Sequence, residues 1–440
     1  MTGRQPALVL LGVSGILRNS GFVGAAQRRG LAILGVDEAD VGYLDPSQLA
    51  ASGADTGRVP PAELAIVAAG DEAGTLAVLA GWAPRHEIRG VLALREEFVR
   101  PAALAADFFG VPSIGLRAAQ VCRDKLLQRL YLGAWGPRYR VIGPAERAVL
   151  VAGPGGGDGG LDELGFPVVL KPTQRSASSG VRCVRDAGEL RSWLGQYEAG
   201  EVVLAEEAVA GPEYSVEALV QGGGVVFESV TAKRTNEGGG QFFVEIGHSV
   251  PAADLSAGRR EALLAANREI VAVLGVRDGI VHGEFRLAGD RVVLMEVNAR
   301  LPGDSIPTLY RLATGASLEA ALVQIALGEP ASYPQPCRYA RQVYLEHPPG
   351  RLKDVRVDSA LGTQPWWLGD KGRYPEVADV AADAPARIGL VLVGPRRGSR
   401  LSEIRKSGDR SVMFLADSPT AGALDEVERA ARDAVRIEVG

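Results

Sequence analysis

The chain of 440 residues is poor in several residue types that carry chemistry, and each shortage removes a class of function. Its three cysteines, Cys122, Cys183 and Cys337, are far apart and odd in number. They offer neither a disulfide framework nor metal-ligand spacing, and a reducing cytoplasmic setting is the expectation. The four histidines, His86, His248, His282 and His347, form no zinc-protease motif. No apolar run is long enough to span a bilayer. The stretch Ala7–Leu17 follows Arg4 as a leader peptide would, but two glycines and a serine interrupt it, so a buried first strand is expected. A formal net charge of −5 gives no electrostatic ground for binding nucleic acid or an anionic membrane. The basic run Pro395–Arg400 is short enough to be a solvated loop.

Lysine is also scarce. Only six of the 48 basic residues are lysines: Lys125, Lys171, Lys233, Lys353, Lys371 and Lys406. A lysine kept against that bias marks a place where a compact ammonium serves better than a planar guanidinium. What remains is ordinary for a globular protein, 46% apolar and 23% charged, in a chain long enough for two or three domains.

Up to about residue 112, short apolar runs (Ala7–Leu11, Leu31–Val36, Leu64–Ala68, Ile88–Leu94) alternate with helical stretches such as Phe22–Arg29, Ala73–Gly81 and Pro101–Gly110. That alternation predicts an open parallel sheet with flanking helices. Gly12 and Gly15 follow the first strand without completing a dinucleotide fingerprint. Ala118–Leu132 reads as one helix containing Arg123-Asp124-Lys125. Val151–Gly160 is glycine-rich, lacks the lysine of a P-loop, and reads as a surface insertion. Val168–Leu170 is a short strand that delivers Lys171. The small polar segment Gln174–Gly180 and a returning strand, Val181–Val184, follow it. Such a loop can fold its amides over a polyphosphate.

Two neighbouring stretches carry the most information. Ile280–Leu287 and Val292–Arg300 read as a hairpin closed by Ala288-Gly289-Asp290. With Leu287 opposite Arg291, the even positions His282, Glu284, Arg286, Glu296, Asn298 and Arg300 share one side. The odd positions Val281, Phe285, Leu287, Val293, Met295 and Val297 share the other. A sheet with one wet face would show the same alternation. Two carboxylates and an amide oxygen beside an arginine, however, suit magnesium bridging a nucleotide phosphate.

Taken together, these pieces resemble the ATP-grasp superfamily. They are Asp124-Lys125, Phe166–Pro172, the serine-rich loop ending Ser179-Gly180-Val181, Glu206–Val209, Gly211–Val216, and Glu284 with Glu296–Arg300, in that family's order. Phe243–Pro251 and Asn298–Asp304 are similar to carboxylate–amine ligases of the L-amino-acid (dipeptide) ligase type. The resemblance implies a mixed α/β (α+β) ATP-grasp fold. Residues 1–112 would form a biotin-carboxylase-like parallel α/β domain, 113–205 and 206–330 the two nucleotide-binding lobes, and 331–440 a β-rich C-terminal lobe.

It also implies roles. ATP and one or two magnesium ions, with manganese as an allowed substitute, would be the cofactors. Lys125, Lys171 and Lys233 would meet the phosphates, under a lid containing Ser176, Ser178, Ser179 and Gly180. Glu206, Glu207 and Val209 would face adenine and Glu213 the ribose. Glu284, Glu296 and Asn298 would hold the metal, with His282 orienting them. Arg300, His248 and Lys171 would be catalytic. Glu217, Glu245, His248, Arg300, Gly303 and Asp304 are the candidate substrate contacts, and Gly303-Asp304 also suits a helix N-cap. The implied reaction joins a small carboxylate to an amine through an acyl phosphate, in a cytoplasmic protein with a homodimer left open. Other acceptors (a carrier-protein thiol, an amino sugar, bicarbonate-type chemistry) and a non-catalytic nucleotide-binding module are the alternatives.

Overall fold

The protein is described by a computed structural model over residues 3–14, 21–39, 61–152, 161, 164–175, 179–237, 243–371 and 374–440. Ser176, Ser178, most of the glycine-rich segment 151–160 and part of the loop 236–241 lie outside these residues.

The first two apolar runs of the N-terminal region are almost wholly buried, as parallel strands covered on both faces must be, while the run Leu64–Ala68 lies at the sheet edge and is half-buried to exposed. β1 (Gln5–Leu11), β2 (Ala32–Asp37), β3 (Glu63–Ile66) and β4 (His86–Ala93) pair in parallel in the order β3-β2-β1-β4. Helices Glu72–Trp82 and Val99–Phe109 cover the sheet through Leu79, Ala102, Ala105 and Ala106.

The single helix expected over Ala118–Leu132 is two. Leu116–Cys122 stops at Arg123, and Asp124 caps a second helix, Lys125–Leu132, by accepting from the amides of Leu126 and Leu127. A carboxylate on the free amides of a first turn starts a helix rather than continuing one. The restart turns Lys125, Gln128, Arg129 and Leu132 inward and leaves Leu130 and Tyr131 exposed.

Beyond this helix, β5 (Tyr139–Ile142), β6 (Val168–Pro172), β7 (Arg182–Val184) and β8 (Val203–Glu207) form an antiparallel sheet in the order β5-β8-β6-β7. The chain then lays down β9 (Glu213–Gln221), β10 (Gly224–Thr235), β11 (Glu245–Val250), β12 (Gly279–Ala288) and β13 (Arg291–Asn298). The C-terminal region adds β14 (Tyr339–Tyr344), β15 (Gly350–Val357), β16 (Pro365–Trp367), β17 (Arg387–Val393), β18 (Arg400–Leu401), β19 (Val412–Ser418) and β20 (Val435–Val439). Four of these extend one nine-stranded sheet, ordered β13-β12-β9-β10-β11-β14-β19-β17-β16, while β18, β15 and β20 pair separately.

Helix Ala257–Leu274 covers one face of the central sheet. Ser256 caps it at one end and Gly275, with φ 65°, closes it at the other. Its Leu263, Ile270, Val271 and Leu274 pack with Val216, Val220, Val281 and Phe285. On the other face, Leu219, Phe227 and Ile280 pack with residues of helices Ile306–Thr314 and Leu318–Ala326, and polar rows of β9, β10, β12 and β13 continue beside them.

One glycine fixes how β8 reaches β9. Gly211 has φ 127°, and a Cβ there would stand 2.0 Å from the carbonyl oxygen of Leu287. Gly211→Ala is therefore expected to cost about 2 kcal/mol or more, since it adds left-handed strain to a clash with backbone. Thermal unfolding reads it; an unchanged midpoint would contradict the close approach.

Candidate active site

The polar face is built in rows. Residues two apart on a strand share a side, and the registers align them across strands. Ser229, Glu217, His282 and Asn298 make one row; Thr231, Ser215, Glu284 and Glu296 the next; His248, Lys233, Glu213 and Arg286 a third.

The hairpin forms over the expected stretches in a different register. Ala288 pairs with Arg291 across the two-residue turn Gly289-Asp290, so the expected three-residue loop and the Leu287–Arg291 pair are absent. A bulge then leaves Met295 unpaired, and Glu284 faces Glu296 directly. Because the turn is one residue shorter than expected, Val292 pairs with Leu287 and Leu294 with Phe285, and both pack toward the core. Met295, expected on the apolar side, instead lines the site. The extra residue restores the parity that brings the two glutamates together.

A cavity of about 410 Å³ lies over these rows, lined by Lys125, Lys171, Glu206, Glu207, Val209, Glu213, Glu245, Glu284, Arg286, Met295 and Glu296. Lys171 Nζ lies 2.8 Å from Glu206, and Arg129 Nε donates to the same carboxylate at 2.6 Å. Burial pushes the Glu206 pKa up, but Arg129 and Lys171 overcome it and hold it at about 2. Lys125 Nζ donates to the Arg175 carbonyl at 2.8 Å and to Glu296 at 3.2 Å.

Lys233, expected to meet the phosphates, is buried among three carboxylates: Glu213 at 2.8 Å, Glu245 at 3.2 Å and Glu284 at 3.2 Å. Burial works against its charge, yet these neighbours raise its pKa well above the usual lysine value. Oxygens of Glu213, Glu245 and Glu284 lie within 4.8 Å of one another, as metal ligands would, but the ammonium already neutralises that cluster. The hairpin offers a second set of oxygens, those of Glu284, Glu296 and Asn298. Asn298 is buried, and its Oδ1 has no hydrogen-bond partner among the described residues. A buried amide oxygen without a donor is an open ligand position, and an all-oxygen set suits magnesium.

His282 braces this set. Its Nδ1 lies 2.9 Å from Glu217 and its Nε2 3.0 Å from Glu284. Burial lowers its pKa, but hydrogen bonds to the two carboxylates raise it to about 9. Glu217 is wholly buried and also accepts from Ser215, Thr231 and Tyr310. It lies beneath His282 and presents no surface to a substrate, which corrects its place among the substrate contacts.

Arg300 donates to Glu96 at 3.1 Å, and Glu96 also accepts from Arg123. Burial of Glu96 is offset by Arg300, Arg123 and Lys125, so its carboxylate stays acidic and joins Arg300 to the Lys125 end of the site. Glu213 is held by Arg286 at 2.9 Å as well as by Lys233. The Val209 carbonyl accepts from Arg286 at 3.0 Å, and Glu207 is held by Arg138 and Arg291. Ser179 is exposed, and the Gly180 carbonyl accepts from Tyr197 at 2.6 Å.

Arg300 is not among the residues that line this cavity, and three further expected contacts also stand apart from it. His248 is buried, its pKa lowered by burial, with Nδ1 3.8 Å from Asp304. Gly303 is exposed in the turn before helix Ile306–Thr314. Asp304 does not cap that helix, since Ser305 occupies the position; with φ 52°, it takes Arg410 through both carboxylate oxygens at 2.7 and 2.8 Å. Arg129, Glu96, Arg123 and Arg410 were not singled out from the sequence. Arg129 carried one signal: it stands four residues after Lys125, on the same helix face.

The strand arrangement, the two lysines and the opposed glutamates define an ATP-grasp fold, and residues 164–308 match the family model described as an ATP-grasp domain. The crystal structure of an L-amino acid ligase from Bacillus licheniformis superimposes with a TM-score of 0.74 at 20% identity, covering 100% of each chain. In sequence, the uncharacterized protein y4rH of Sinorhizobium fredii is 31% identical over 253 residues, 55% of this chain and 50% of that one. Dapdiamide A synthase of Enterobacter agglomerans is 27% identical over 223 residues, 44% of this chain and 51% of its own. The chain spans about half the length of these curated relatives. No helix among the described residues is long and apolar enough to cross a membrane.

Proposed function

We propose that this protein is an ATP-dependent carboxylate–amine ligase acting on amino acids or related small molecules in the cytoplasm. One observation carries the reading. Lys125 and Lys171 border the same cavity as Glu284 and Glu296, and the open oxygen of Asn298 lies in the hairpin that bears both glutamates. Cations for a triphosphate thus stand beside hard oxygens for magnesium. The fold shared with an L-amino acid ligase and the sequence similarity to dapdiamide A synthase support an amide-forming reaction over other acceptors.

A carboxylate is a poor electrophile until its oxygen is converted into a leaving group. In the proposed reaction a substrate carboxylate oxygen attacks the γ-phosphorus of ATP. The bond from that phosphorus to the bridging oxygen breaks, giving an acyl phosphate and ADP. The unprotonated amine then attacks the acyl carbon and loses a proton, and phosphate departs as the C–N bond forms. Lys125 and Lys171 hold the phosphates by charge. Glu284, Glu296 and Asn298 would hold magnesium, which when bound neutralises charge on the transferring group. Arg300, held against Glu96, offers its guanidinium to the oxyanion at the acyl carbon.

The test is a product screen by mass spectrometry with ATP, magnesium and all amino acids. The expected product has the summed mass of two substrates less one water, with one ADP and one phosphate per product. ATP cleavage that no carboxylate–amine pair stimulates would contradict the reading.

A further inference from the structure

The nucleotide cavity has a larger neighbour. It encloses about 790 Å³ and is lined by Asp304, Leu392, Arg396, Arg400, Arg410 and Met413, among others. The two cavities share a wall. Arg410 lines the larger one and donates to the Glu245 carbonyl at 3.0 Å, while Glu245 lines the smaller one. That wall is already balanced in charge, because Arg410 binds Asp304 through two hydrogen bonds and stacks 4.2 Å from the ring of Tyr344.

Elsewhere on the lining, charge is left over. Arg396 uses its Nε on the Gly369 carbonyl at 2.6 Å, and Arg400 has no side-chain partner among the described residues. The acidic Asp409 on the same lining is committed to the amides of Arg405 and Lys406 at 3.0 Å. Two exposed guanidinium groups therefore face an anion from outside the chain. Leu392 and Met413 supply an apolar surface beside them.

We propose that this cavity seats the amine substrate, and that this substrate is longer than a free amino acid and ends in an anionic group, carboxylate or phosphate, gripped by Arg396 and Arg400. The proposal rests on the ligase reading of the neighbouring cavity. Pockets of several hundred Å³ bury drug-sized ligands, so a single amino acid would leave most of this one empty. An amine placed against the shared wall lies next to the phosphate-binding rows, and its far end points toward the arginines. Guanidinium forks suit carboxylate and phosphate oxygens in particular.

The probes are the tripeptide Gly-Leu-Glu, its fully amidated twin, an amidated twin ending in phosphoserine, and free glycine. They are supplied with ATP, magnesium and mixed amino acids as carboxylate donors. The wild-type protein is expected to couple the anionic tripeptides with a KM at least about tenfold below that of the amidated twin. Arg396→Ala/Arg400→Ala should raise that KM to the level of the neutral twin and leave kcat at saturation unchanged. Both side chains are exposed, so the fold tolerates the change. Equal KM values for charged and neutral probes, or a preference that survives the double substitution, overturn the proposal. The carboxylate and phosphate arms rank the two anions.

Calorimetric binding of the same probes without nucleotide separates this proposal from the one beneath it. Arginine-dependent binding with no product from any pair overturns the ligase reading, and with it the acceptor role, leaving an anion site. Product from neutral amines without arginine-dependent binding overturns the cavity assignment and leaves the ligase reading intact.

Discussion

Glu296→Ala is expected to lower ATP cleavage by at least about a hundredfold, in the range seen when a metal-site or electrostatic partner is removed. Two losses coincide. Magnesium would lose a carboxylate directly opposite Glu284, and Lys125, largely buried, would keep the Arg175 carbonyl as its hydrogen-bond partner among the described residues, with the charge of Glu96 nearby. An ammonium that loses its hydrogen-bonded carboxylate is costly in such surroundings. Glu296→Gln separates the effects, because the amide oxygen can still accept from Lys125 but brings no negative charge to magnesium. The glutamine variant should keep a wild-type unfolding midpoint and still fail in turnover. Both variants are read by ADP release with the pair found in the product screen, and by magnesium-dependent ATP affinity. A wild-type rate in Glu296→Ala would sink the assignment of the hairpin as the metal site.

That hairpin also shows how far the sequence could be read. Alternation alone put Glu284, Glu296 and Asn298 on one side, and they share it because the bulge offsets a turn one residue shorter than expected. The turn itself was misjudged by one residue, and the bulge at Met295 was not visible. A bulge answers to the packing of Leu294 and Val292 under the strand, which is a tertiary demand with no local signature. The split of helix Ala118–Leu132 is similar. Asp124 is a good capping residue, but the surrounding periodicity ran through it, and only the inward turn of Lys125 and Arg129 shows what the break achieves.

Charge pairs over long separations were the least legible. Arg300 meets Glu96 across 204 positions and Arg410 meets Asp304 across 106. Nothing in either residue's neighbours announces its partner. Lysine scarcity did carry information. Three of the six lysines, Lys125, Lys171 and Lys233, stand in or beside the site, each against a glutamate. The surroundings of Lys233 were not legible, since its three carboxylate neighbours come from strands β9, β11 and β12.

Arg129→Met is expected to be the most destabilising single change at the site, by about 3–5 kcal/mol at neutral pH. Arg129 and Glu206 are both almost wholly buried, and removing the guanidinium leaves Lys171, among the described residues, as the one cation on that carboxylate. The same arginine donates to the Met295 carbonyl at 2.7 Å, so its loss also unties the helix from the bulge. The pH dependence follows from the sign of the Glu206 shift. Its pKa falls from an ordinary 4.5 to about 2 in the folded protein. The unfolded chain therefore holds more protons between those values, and wild-type stability should rise with pH there. The contribution is complete above pH 4.5 and is lost as pH falls through 2. Without Arg129 the folded pKa moves up and that rise should flatten, so the gap between variant and wild type narrows in acid. Urea unfolding at pH 7 and in acid measures it, and Arg129→Met/Glu206→Gln closes the cycle by removing the stranded charge. A loss below about 1 kcal/mol at pH 7, within the range of an exposed pair, would mean that water reaches Glu206 and that this end of the cavity is open rather than sealed.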